Sequence, residues 1–165
     1  MKYACTMRII LIIVLAGLLS ACGFQLRGSS ALPAGLKNLY IQAPTVLSDE
    51  VRVYLEGSDT QIQDQRTGAD VVLTLSDGRY DRRVLSVDPD TGKEREFALT
   101  YSLNYRAAKI DGKTLLNSQR LIIHRDYVFD PNTVIGKSRE EWVLRNEMRR
   151  DAIRQILFRL QSAGG

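Results

Sequence analysis

The sequence predicts an α+β fold: two helices packed on one face of a mostly antiparallel four-stranded sheet. Three observations predict it. Phe97, Leu99, Tyr101, Leu103, Tyr105 and Ala107 alternate with Glu96, Ala98, Thr100, Ser102, Asn104 and Arg106, the period of a strand with one buried and one wetter face. Leu144, Met148, Ala152, Ile156 and Leu160, joined by Ile153 and Leu157, recur at helical spacing and form one apolar stripe. Asp88-Pro89-Asp90-Thr91-Gly92 and Asp111-Gly112 are turn signals on either side of the alternating stretch, so the strands form a meander.

The chain opens with Lys2 and Arg8 and continues into Ile9–Leu19, IILIIVLAGLL, an uncharged run. A spanning helix needs about 20 apolar residues, so this run is too short to cross a membrane. A positive start, a short apolar core and small residues at its end describe a secretory signal over residues 1–21. Leu19-Ser20-Ala21-Cys22 fits a bacterial lipobox, with cleavage before Cys22 and acylation of that cysteine. Each buried CH₂ contributes about 0.8 kcal/mol, and stable anchoring takes more than one chain. Gly23, rather than an aspartate, follows the cysteine, so export to the outer membrane is expected. Residues 22–35 then read as a tether, residues 36–161 as one domain and residues 162–165 as a short tail.

Leu39-Tyr40-Ile41 is a short strand ended by Pro44. Ser48 is expected to cap a first helix, with Asp49 and Glu50 in its first turn, Val51 and Leu55 on its apolar side and Gly57 beyond its end. Residues 69–87 begin the strand-rich region, and Leu121, Ile123 and Tyr127 continue the alternation past the second turn. Pro131 and Asn132 close the sheet. Ser138-Arg139-Glu140-Glu141 reads as a capping box for a helix that runs to about Gln161.

Composition removes several classes of function. The two cysteines are Cys5, lost with the signal, and Cys22, acylated, so the mature chain forms no disulfide and carries no catalytic thiol. The formal charge of +4 includes Lys2 and Arg8, which leave with the signal, so the mature chain is near +2. Its positive excess lies in residues 137–165, with seven Lys and Arg against four Asp and Glu; this does not suggest nucleic acid. His124 is the sole histidine and sits on the wetter face of a strand, which argues against a zinc site. No glycine-rich phosphate loop is present, and Glu94/Glu96 and Asp88/Asp90 are interleaved with Lys93 and Arg95. The expectation is no enzymatic activity, no metal and no cofactor.

Basic residues give the binding candidates. Arg79, Arg82, Arg83, Lys93 and Arg95 lie on the arms of the hairpin about residues 88–92, and arginine forks suit phosphates. The same span holds five acids, so a solvated hairpin of mixed charge is the alternative. Lys137, ahead of the second helix, lies where a helix N-terminus favours an anion.

Cys22-Gly23-Phe24-Gln25-Leu26-Arg27-Gly28, together with Tyr101-Ser102-Leu103-Asn104-Tyr105, Phe129-Asp130-Pro131-Asn132 and the closing helix, resembles the LPS-assembly lipoprotein family (LptE, or rare lipoprotein B). The resemblance covers nearly all of residues 22–160. It implies an outer-membrane lipoprotein that sits in the lumen of the LptD β-barrel, assists its assembly, plugs it and binds lipopolysaccharide on its way to the outer leaflet. It also implies two helices on a four-stranded sheet. Lys137 resembles a basic family position linked to lipopolysaccharide. A second such position is an arginine in the hairpin turn. Here that turn, Val87 to Gly92, has no arginine, and Lys93 or Arg83, with Arg82 and Arg95 beside them, would substitute. The alternative is a scaffold or adaptor lipoprotein without ligand contact.

Overall fold

The computed structural model describes Leu32 and residues 36–128 and 137–164, with the side chains of the closing helix described from Glu140 onward. Cys22, the rest of the tether apart from Leu32, and the Phe129–Asn132 loop lie outside the described residues.

The elements run β1 (Asn38–Gln42), α1 (Thr45–Leu55), β2 (Gln61–Gln63), β3 (Val71–Val87), β4 (Glu94–Lys109), β5 (Thr114–Val128) and α2 (Lys137–Ala163). The sheet has five strands in the order β2-β1-β3-β4-β5, one more than the sequence predicts. The extra strand is Gln-Ile-Gln at the edge, too short for an alternation to show. Tertiary pairing makes it a strand: it lies parallel to β1, Gln61 N–H donates to the Lys37 carbonyl at 2.7 Å, and Gln63 Nε2 donates to Asn38 Oδ1 at 3.0 Å. β1 also runs parallel to β3, while the long β3-β4-β5 meander is antiparallel throughout.

α1 begins three residues before the expected Ser48 cap. Pro44 precedes it in extended geometry, and its carbonyl accepts from Leu47 N–H (2.9 Å) and Ser48 N–H (3.0 Å). Ser48 Oγ instead donates to the Thr45 carbonyl, so Asp49 and Glu50 fall beyond the first turn. Ser138 likewise lies inside α2 rather than ahead of it. Glu141, expected to reach back to a cap, accepts from the Tyr127 hydroxyl at 2.8 Å and pairs with Arg145.

Both helices cover the same sheet face. Leu47, Val51 and Leu55 of α1 are buried there, one turn apart. So are Met148, Ala152, Ile153, Ile156, Leu157 and Leu160 of α2, with Leu144 partly buried. They meet the whole predicted face of β4, Phe97 to Ala107, along with Leu73, Leu75, Leu121 and Ile123. The two helices are tied across their outer seam by Glu50, which accepts from Arg149 at 3.0 Å and lies 3.6 Å from Arg150. β3 kinks between Ser76 and Arg79, where Asp77 takes a left-handed φ of 56° and Gly78 passes close under Tyr101. The opposite sheet face carries Thr100, Ser102, Asn104 and Arg106 and no described helix.

Candidate functional site

The hairpin joining β3 to β4 carries five of the predicted basic residues, Arg79, Arg82, Arg83, Lys93 and Arg95. Its turn is built by Asp88, whose Oδ1 accepts from Asp90 N–H, Thr91 N–H and the Thr91 hydroxyl at 2.9–3.1 Å. The Thr91 amide and hydroxyl hold the Asp88 carboxyl below the ordinary carboxylate range, with Arg95 adding to the effect. Gly92, at φ 67°, donates to the Asp88 carbonyl, and Asp88 N–H donates to the Lys93 carbonyl. The turn therefore presents Lys93 and Arg95 at its end, both exposed and neither in an ion pair among the described residues.

The two adjoining arginines face different ways. Arg82 lies opposite Leu99 on the helix-covered side. Its guanidinium sits 3.7 Å from the centroid of the Phe97 ring, 3.3 Å from Glu94 and 3.9 Å from Glu141. Arg82 is thus engaged in bracing the hairpin against α2, which leaves it less available to a ligand. Arg83 lies opposite Ala98 on the uncovered side, is exposed and has no carboxylate partner among the described residues. Arg79 is on that same uncovered side, opposite Ser102. Lys137 opens α2, and its side chain, like Cys22, lies outside the described residues.

Below the hairpin, the structure assembles a cluster that sequence reasoning missed. Tyr80 stacks on Tyr101 with centroids 4.4 Å apart and donates its hydroxyl to the Arg145 carbonyl at 2.6 Å. Phe97 stacks on Tyr127 at 5.3 Å. Arg145 lies 5.4 Å over the Tyr80 ring while paired to Glu141. Burial raises the Tyr127 pKa, reinforced by its hydrogen bond to Glu141, and burial also raises those of Tyr80 and Tyr101. These phenols stay neutral across physiological pH, and Tyr80 and Tyr127 act as hydrogen-bond donors fixing the start of α2 to the sheet. Aromatic spacing along β3, β4 and β5 was the available signal. It identified core positions but not the bond to a helix carbonyl.

His124 is exposed on the uncovered face, and its ring nitrogen Nδ1 lies 3.0 Å from the Thr100 hydroxyl. Among the described residues no group of His, Cys, Asp and Glu could hold a metal ion.

Two helices on one side of a mostly antiparallel sheet is an architecture shared with solved bacterial lipoproteins. Lipoprotein B of Nitrosomonas europaea superposes with a TM-score of 0.69 at 28% identity, over 85% of this chain and 91% of its own. The rare lipoprotein B of Shewanella oneidensis gives 0.65 at 30% identity, over 76% and 94%. The LptE lipopolysaccharide-assembly family model matches residues 36–160, and the chain belongs to that family. The LPS-assembly lipoprotein LptE of Photorhabdus laumondii is 31% identical over 154 residues, which is 91% of this chain and 83% of that protein. Its counterpart in Pectobacterium atrosepticum is 29% identical over 160 residues.

Proposed function

We propose that the chain is an outer-membrane lipoprotein, anchored through acylated Cys22, that occupies the lumen of an LptD-type β-barrel, assists its assembly and plugs it. In this reading it also binds lipopolysaccharide for insertion into the outer leaflet. The family match over residues 36–160 carries the reading. The hairpin cations add chemical support. Lys93, Arg95 and Arg83 are exposed and unpaired with carboxylates among the described residues, as phosphate ligands should be. Lys137 joins them as the second basic position, and Arg82 contributes mainly by holding the hairpin.

The mechanism is non-enzymatic. Basic side chains at the hairpin and Lys137 engage lipid A phosphates in competition with the divalent cations that bridge neighbouring lipopolysaccharide molecules. The ligand is thereby kept dispersed, while sheet and helices fill the lumen. The intramolecular engagement of Arg82 favours the second reading, a scaffold that supports the barrel without touching ligand. Lipopolysaccharide binding by a Lys93→Glu, Lys137→Glu variant separates the two. Weakened binding with an unchanged fold supports the ligand role; unchanged binding overturns it.

A further inference from the structure

The uncovered sheet face carries cations away from the tip of the hairpin. Arg66, in the loop before β3, and Arg106, in β4, line one hollow of about 280 Å³ with Gln42, Thr74, Asn117 and Ser118. Thr74 lies directly across from Arg106 in the β3–β4 register. The β4–β5 register shift between Tyr105 and Ala107 falls beside this hollow. No carboxylate lines it, and neither arginine has an ion-pair partner among the described residues. Further along the same face a second hollow of about 260 Å³ holds Arg79 and Arg120 across Ser102. Asp77 also lines it, but accepts from Asn104 Nδ2 at 2.8 Å and Ser76 Oγ at 3.2 Å. Asn104 in turn accepts from Arg120 Nε at 2.9 Å.

We infer that the Arg66–Arg106 hollow is a phosphate-binding site for a phosphorylated saccharide, separate from the Lys93–Arg95 tip of the hairpin, with Arg79 and Arg120 extending it along the sheet. Two guanidinium forks without carboxylate neighbours match a phosphomonoester, which accepts parallel N–H bonds from each. The neutral amides and hydroxyls of Gln42, Asn117, Thr74 and Ser118 match the alternating donors and acceptors of sugar hydroxyls. A nucleic acid would want stacked aromatics, and the hollow has none; Val72, Ala107, Ala108 and Leu116 line it beside the two guanidiniums. That the phosphate is carried by lipopolysaccharide rests on the proposed function; the site itself does not.

The test uses full-length lipidated protein in mild detergent, titrated with lipid-free phosphorylated core oligosaccharide. An Arg66→Gln, Arg106→Gln variant should bind it at least about tenfold more weakly, since charge-assisted bonds are the strong ones. Phosphatase treatment of the oligosaccharide should cost the parent protein a similar factor. A Lys93→Glu, Arg95→Glu variant should bind the oligosaccharide as the parent does while losing affinity for whole lipopolysaccharide. If the glutamine variant, shown folded by circular dichroism, binds within about twofold of the parent, the inference is overturned. It is also overturned if that variant binds oligosaccharide normally but loses a copurifying protein, because the face is then a protein interface. If the parent binds oligosaccharide through Arg66 and Arg106 but does not bind lipopolysaccharide, this site stands and the proposed ligand role of the hairpin falls.

Discussion

Gly78 is a position where a single methyl group should report on the packing under α1. A Cβ built there would lie 3.0 Å from the Tyr101 hydroxyl oxygen, 3.7 Å from Leu47 and 3.8 Å from Leu103. Gly78 carries no left-handed φ, so Gly78→Ala introduces a steric term without backbone strain. The Tyr101 hydroxyl is at the end of its side chain but cannot swing away, because the ring is 2% exposed and stacked on Tyr80. Overpacking of this kind costs about 1–3 kcal/mol, from which about 0.5–1 kcal/mol is recovered because alanine orders more cheaply than glycine in a strand. The net prediction is a loss of about 0–2.5 kcal/mol by urea unfolding with an unchanged m-value. Tyr101→Phe removes the clashing oxygen, so in that background Gly78→Ala should be neutral or stabilising. An equal loss in both backgrounds would refute the steric assignment.

Other perturbations follow from the same geometry. Arg82→Ala should destabilise the protein by about 0.5–1.5 kcal/mol, through its stack on Phe97 and its half-exposed ion pairs, whereas Arg83→Ala should leave the urea midpoint unchanged. Glu50→Gln should cost about 1–3 kcal/mol in urea unfolding, because Glu50 and Arg149 are only 15% and 19% exposed and form the seam between the helices. The raised Tyr80, Tyr101 and Tyr127 pKa values mean that the unfolded chain releases these protons first, near its ordinary 10.0. Their contribution is therefore full below about pH 10 and is lost as pH rises through the folded values; melting temperature against pH should fall there, and less steeply in Tyr127→Phe. The depressed Asp88 pKa works in the opposite sense, its contribution being present above the ordinary carboxylate range and lost on acidification, and Asp88→Asn should remove that acid limb from the same melting profile.

The elements that repeat were readable from the chain. The β4 face and the α2 stripe are long, and periodicity over many residues is a strong signal; every predicted inward position of β4 is buried. Short elements were not. β2 has three residues and exists because Asn38 and Lys37 pair with it across space. Ser48-Asp49-Glu50 resembled a helix start, but the Pro44 carbonyl captures the amides first, and Glu50 belongs to the seam with α2. Ser138 and Glu141 failed as a box for a related reason, since Glu141 is held by Tyr127 and Arg145. The hairpin cations were found because they lie within one short stretch of the chain, residues 79–95. Their division between a bracing Arg82 and an outward Arg83 needed the register. Arg66 and Arg106 were invisible as a pair, because strand pairing alone brings residues so distant in the chain to one hollow.

The most direct test of the central claim is isolation of tagged, full-length protein from native outer membranes in mild detergent. A lumen-filling lipoprotein should come out with a barrel-sized partner in equal amount. Folded, lipidated protein recovered alone would contradict the account.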